Sequence, residues 1–304
     1  MGSSTSKLKY PHLVASKFPI TNDGETITLS DGRIMGFKEY KFFHTLTDNT
    51  ISLRNQEFVI LSIPGIPGSR FFTHPSLLSK ENDENINTSE NNENKALIRL
   101  IVLERPGFGL STSAKRNFID FSNDIKELCQ QKNIKKFSLM AYSAGGPFGL
   151  AAAYSLGKQN DSLNGPIISK LAIITKNSPS LLSIIARLEA KSALSDPVKA
   201  ASEILLLGPP DDKEVYEKFP EIEELFIKSS LEMYTRGQVE TACWEYSLWG
   251  KDWGFNLNEI GKGKDGNIGV RCKVWHGEED YGCTIDMGKY IADQIKGCET
   301  CFDK

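Results

Sequence analysis

Short apolar runs that break into Gly/Pro loops recur along the chain, as in "EFVILSIPGIPGSRFF" (57–72), "ALIRLIVLERPGFGLS" (96–111) and "KKFSLMAYSAGG" (135–146). Each predicts a strand that is apolar on both faces and ends in a tight loop. "ISKLAIITKNSP" (168–179) and "VRCKVWHGEEDYG" (270–282) predict two more strands, and "CETCFD" (298–303) a last one. Ahead of them, "ETITLSDGRIMGFKEYKFF" (25–43) sets β-branched and aromatic residues on either side of Ser-Asp-Gly-Arg, the signal of a hairpin. "FIDFSNDIKELCQQKNI" (118–134) instead spaces its apolar residues for one face of a helix. This alternation predicts an α/β class, with a mostly parallel central sheet flanked by helices on both faces.

Two segments interrupt it. "KENDENINTSENNENK" (80–95) is rich in Asn and Glu and almost without apolar residues, so it predicts a disordered surface insert rather than part of a core. Residues 180 to about 262 carry helical patterns, "LLSIIARLEAKSAL", "VKAASEILLL" and "EIEELFIKSSLEMYTR", without clear strands, which predicts a helical cap over the sheet. The organisation expected is a flexible N-terminal tail (1–20) followed by one domain (21–304) that carries both insertions.

The composition fits a single globular core, with 304 residues, 39% hydrophobic and 25% charged. A net charge of −3 gives no basic footprint for nucleic acid, and no apolar run approaches the roughly 20 residues that span a bilayer. Six cysteines without a secretory leader indicate reduced thiols and a cytoplasmic location. Cys298 and Cys301 form a lone CxxC with no ligand histidine nearby, read as two half-buried strand residues rather than a zinc or redox site. The opening "MGSSTSK" matches the N-myristoylation pattern, with Gly2 as acceptor and Ser6 at the sixth position. A tail that matches by chance is the competing reading. One myristoyl chain would give only reversible, peripheral contact at the cytoplasmic face of a membrane.

Candidate chemistry centres on "AYSAGG" (141–146), a strand-to-helix turn in which small residues lie two places before and two after Ser143. Bulky neighbours would clash in such a turn, which lifts the serine oxygen clear of the sheet. A serine nucleophile needs oxyanion donors, and the backbone N–H groups of Ala144 and of Ile66 in "SIPGIPGSR" are the candidates. It also needs a carboxylate to orient a base. Glu278, Glu279 and Asp280 all follow a strand end, where active-site groups of open α/β sheets gather, and Asp280 is preferred.

Taken together, "LSDGR", "IPGIPGSR", "ERPGFGLS", "AYSAGG", "LWGKDWGF" and "WHGEED" occur in an order that resembles the α/β-hydrolase fold family, specifically its capped serine hydrolases, across residues 27–304. The resemblance implies Ser143 as nucleophile, Asp280 as triad acid, Ile66 and Ala144 as oxyanion donors and residues 180–262 as the lid. It implies hydrolysis of carboxylic ester, thioester or amide bonds in a small-molecule acyl substrate, with no metal or organic cofactor. Epoxide and haloalkane hydrolases are disfavoured, because their nucleophile is an aspartate. Two departures stand out. Pro64 occupies the place where the family commonly has a histidine. The family's general-base histidine lies in a loop after the last strand, and none of His12, His44, His74 or His276 fills that position, with His74 the nearest alternate. Two readings follow: a hydrolase whose histidine loop comes after Lys304, or a catalytically inactive protein of this fold that binds a ligand or partner at a membrane surface. The pattern gives no oligomeric state.

Overall fold

A computed structural model describes residues 20–47, 50, 53–73, 95–157, 167–174, 195–196, 218–219, 221–236, 239–260, 270–280 and 284–303. Gly2, His12, His74, residues 80–94 of the Asn/Glu-rich insert and the first two helical patterns of the cap lie outside these residues.

Eight strands form one sheet: β1 (Glu25–Thr28), β2 (Ile34–Thr45), β3 (Glu57–Ile63), β4 (Lys95–Leu103), β5 (Lys136–Tyr142), β6 (Ile167–Ile174), β7 (Arg271–Gly277) and β8 (Glu299–Asp303). Their order across the sheet is β1-β2-β4-β3-β5-β6-β7-β8. The expected hairpin is antiparallel, with Thr28 opposite Ile34, and β2 runs antiparallel to β4. Every neighbouring pair from β4 across to β8 is parallel. The C-terminal ends of β3 to β8 therefore share one edge, and the loops leaving them converge there.

Helix α1 (Phe118–Gln131) begins at Asn117, whose side chain accepts from the Asp120 N–H while Asp120 reaches back, a capping box that fixes the start. Phe118, Phe121, Ile125 and Leu128 recur at spacings of three and four and are buried. They pack with α2 (Gly146–Gly157) and α5 (Ile285–Gln294) against one face of the sheet, on Val59, Leu61, Ile63, Leu139, Ala141 and Val274. Each such side chain contributes about 1.5–3 kcal/mol by leaving water. Helix α2 is apolar on nearly every side because it lies between the sheet and α1. Within residues 180–262, two helices are described: α3 (Glu221–Thr235), which falls on the third quoted pattern, and α4 (Val239–Trp249), which no quoted pattern covers.

Three expectations are corrected. The helix expected over 118–134 stops at Gln131, with Lys132 as its cap. Lys95, assigned by sequence to the insert, already belongs to β4 and pairs with Thr45. Ile20, assigned to the tail, packs with Phe226 against Ile227 and Leu231 of α3, because an apolar residue next to an exposed helix face lowers its free energy by covering it.

Candidate active site

The end of β5 is extended at Tyr142, with φ −137° and ψ 153°. The next residue, Ser143, has φ +51°, and the chain turns through Ser143–Gly145 into α2. A left-handed conformation costs a non-glycine residue on the order of 1–2 kcal/mol, so it persists only where surrounding contacts enforce it. Those contacts come from the loop after β3. A Cβ on Gly145 would lie 2.3 Å from the Ile63 carbonyl oxygen and 2.7 Å from that of Pro64. A Cβ on Gly65 would lie 2.6 Å from the Ser143 Cβ and 3.0 Å from its Oγ. Only glycine permits the two loops to touch this closely.

Ser143 is thereby placed against Gly65, the residue before the expected donor Ile66, and the other expected donor, Ala144, follows Ser143 in the chain. Among the described residues no acceptor takes the Ile66 N–H. The Ala144 N–H belongs to the first turn leading into α2, where helical donors have no partner of their own. Asp280 follows β7 on the same edge, separated from β5 by the single strand β6, hence by roughly 10 Å at ordinary strand spacing. Its N–H donates to the Gly277 carbonyl at 3.3 Å, closing a turn. Asp280 is half-buried while Glu278 and Glu279 are exposed, which distinguishes it from its two neighbours.

The described histidines are not part of this cluster. His44 is exposed near the end of β2 and pairs with Ala96 at the start of β4, on the opposite edge of the sheet. His276 is buried on β7 against α5, its Nδ1 2.9 Å from where a Gly288 Cβ would be. Cys298 and Cys301 are half-buried, and among the described residues no cluster of His, Cys, Asp or Glu could hold a metal ion. Among those residues no helix is long and apolar enough to cross a membrane.

Sequence reasoning missed a set of buried charges behind the site. Arg105 Nε donates to both Glu245 oxygens, at 2.9 and 3.1 Å, and its Nη groups donate to the carbonyls of Pro64 and, at 3.4 Å, of Gly65. The guanidinium also lies over the Phe108 ring, 4.5 Å from its centroid. Beside it, Arg70 Nη1 donates to Glu104 at 2.9 Å and to Glu232 at 3.0 Å, and Arg236 Nε donates to Glu232 at 3.1 Å. Arg70 also donates to the carbonyls of Thr21 and Asp23, and the Thr21 N–H donates to Glu232. Burial pushes the carboxyls of Glu104 and Glu245 above the ordinary glutamate value, and their arginines pull the other way. The one sequence signal was the charged pair Glu104-Arg105 directly after an apolar strand, where burial demands partners.

Tyr142 completes the surroundings. Its ring lies 4.7 Å from that of Phe72, which in turn meets Phe226 of α3 at 6.4 Å. Its hydroxyl is buried without a well-aligned hydrogen bond, and burial raises its pKa well above the ordinary tyrosine value against the opposing pull of Arg105 and the Gly65 backbone.

Residues 59–163 match a family model described as the alpha/beta hydrolase fold. Solved structures similar to this chain include a hydrolase from Pseudomonas aeruginosa PA01, at 14% identity and TM-score 0.59, covering 93% of this chain and 90% of that one. An enol-lactonase from Burkholderia xenovorans LB400 matches at 16% identity and TM-score 0.57, over 91% and 90% of the two chains. An esterase from Exiguobacterium antarcticum matches at 14% identity and TM-score 0.58, over 92% and 91%. No curated protein matches in sequence. The chain has the α/β-hydrolase fold, a mostly parallel sheet with flanking helices.

Proposed function

We propose that this chain, built on the α/β-hydrolase fold, is a serine hydrolase of carboxylic ester, thioester or amide bonds. The observation that carries the reading is the left-handed Ser143, φ +51°, at a strand-to-helix turn pressed against Gly65. Strain of this kind is retained at functional sites when neighbouring structure enforces it. The esterase and lactonase among the similar structures support acyl chemistry in general.

In this reading Ser143 Oγ attacks the acyl carbon, and its proton passes to a histidine, which returns it to the departing alcohol, thiol or amine. The Ile66 and Ala144 N–H groups hold the oxyanion, and Asp280 orients the histidine. Water then hydrolyses the acyl-enzyme and restores the serine. The histidine comes from outside the described residues. Asp303, the end of β8, pairs with Gly277, so a segment leaving β8 emerges beside the turn that carries Asp280. The resemblance assigns the base to that segment.

Covalent labelling by a fluorophosphonate tests the reading. The full-length protein is expected to be labelled, and Ser143→Ala is expected to lose the label. A full-length protein that stays unlabelled would instead favour a catalytically inactive, ligand-binding member of this fold.

A further inference from the structure

We propose that Arg105 is a positioning residue that couples cap helix α4 to the Ile66 oxyanion donor, an inference that rests on Ser143 being the nucleophile. In a trans peptide the carbonyl oxygen and the N–H of the same unit point in opposite directions. The Gly65–Ile66 unit is trans, and its oxygen accepts from Arg105 Nη2. Holding the Gly65 oxygen on one side fixes the direction in which the Ile66 N–H points on the other, and Gly65 itself lies against Ser143. The preceding unit is held in the same way, with Arg105 Nη1 donating to the Pro64 oxygen.

Gly65 makes this support necessary. It has no side chain to anchor it, and Pro64 before it has no N–H to donate. Arg105 is in turn fixed from the opposite side. Its Nε meets both oxygens of Glu245 on α4, the two side chains are 1% and 4% exposed, and Phe108 and Phe148 lie beneath the guanidinium. A planar fork with five donors can bridge a carboxylate and two carbonyls at once, which a lysine ammonium on a flexible stem cannot. The seating of α4 thus sets where the oxyanion donor points.

The test measures the rate of Ser143 modification by a fluorophosphonate over a concentration series, in the full chain and in Arg105→Lys, Arg105→Met and Glu245→Gln, with folding checked by circular dichroism. A misaimed donor lowers the maximal rate by about 10- to 100-fold in both Arg105 variants, while the half-saturating concentration stays within about two-fold. Glu245→Gln keeps one acceptor and loses less. Folded Arg105→Lys with an unchanged maximal rate would overturn the coupling. Amide hydrogen exchange at Gly65 and Ile66 gives a readout that does not depend on serine chemistry, and it should accelerate in Arg105→Met and Glu245→Gln. If the parent chain is unlabelled yet exchange responds, the Ser143 reading fails and the link from α4 to the loop stands. If exchange does not respond in folded variants, the coupling fails whatever the label does.

Discussion

Arg70 Nη1 lies 3.0 Å from Glu232 Oε2 with both side chains sealed from water, so the loop after β3 and helix α3 share one ion pair. Glu104 and Arg236 complete the cluster. Removing one member of such a group leaves a buried charge without its partner. Glu232→Ala is expected to lower unfolding free energy by about 3–5 kcal/mol, and Glu232→Gln by less because it still accepts from Arg70. Urea unfolding of the three proteins would read this, and a loss below 1 kcal/mol in Glu232→Ala would contradict it.

Ser143 occupies a backbone conformation that glycine adopts freely. Ser143→Gly and Ser143→Ala should both lose the serine's reactivity, but the glycine variant should be the more stable of the two by about 1 kcal/mol. Thermal denaturation of the pair isolates the backbone strain from the chemistry. Equal melting temperatures would mean the turn is unstrained.

Gly65→Ala introduces a Cβ 2.6 Å from that of Ser143, closer than real Cβ contacts occur, so one of the two loops must shift. Overpacking at such a site costs about 1–3 kcal/mol. The variant is expected to remain folded and to lose fluorophosphonate labelling at Ser143. Labelling at the parent rate would show that the loop position does not govern the site.

Burial, opposed by Arg105, holds the Glu245 carboxyl above its ordinary value of 4.5. A carboxyl whose folded value exceeds its unfolded one binds its proton more tightly when folded, so its contribution to stability falls as pH rises from about 4.5 through the folded value. Glu39 behaves oppositely. Burial alone would raise it, but Arg99 and Lys132 hold it below 4.5, so its contribution is lost as pH falls from that value through the folded one. Glu245→Gln should flatten the decline above pH 4.5 and leave the acid limb in place. Urea midpoints measured from pH 3 to 8 would detect an unchanged decline, the contrary result.

Burial pushes the thiols of Cys129 and Cys272 up to about 12 and that of Cys298 to about 11. For Cys272 the neighbouring Cys298 adds to the effect. Thiolate is the reactive form. These three cysteines should resist iodoacetamide at pH 8 in the folded protein and react once it is unfolded, as peptide mass mapping would reveal. Rapid modification of Cys272 in the native state would refute the assignment.

Much of this architecture was legible because it depends on local rules. Ser143 could be picked out because a strand-to-helix turn admits only small residues two places before and after it, and Ala141 and Gly145 satisfy that from sequence alone. The pairing of Arg105 with Glu245 was not legible, because 140 residues separate them and only the packing of α4 brings them together. Helix α5 also escaped the pattern. Gly288 in its interior weakens helix propensity, and the reason for a glycine there is the His276 ring, which fills the space a side chain would need.

The adjacent residues Glu104 and Arg105 connect to different helices, one joining through Arg70 to Glu232 on α3 and the other directly to Glu245 on α4. One dipeptide at the end of β4 is therefore a common datum for both helices. Replacing α3 and α4 by helices from a protein with another ion-pair pattern would leave Arg105 without its carboxylate and Arg70 with Glu104 as its one remaining acid. Exchange of these two helices on this scaffold is workable only between donors that carry matching acids on both.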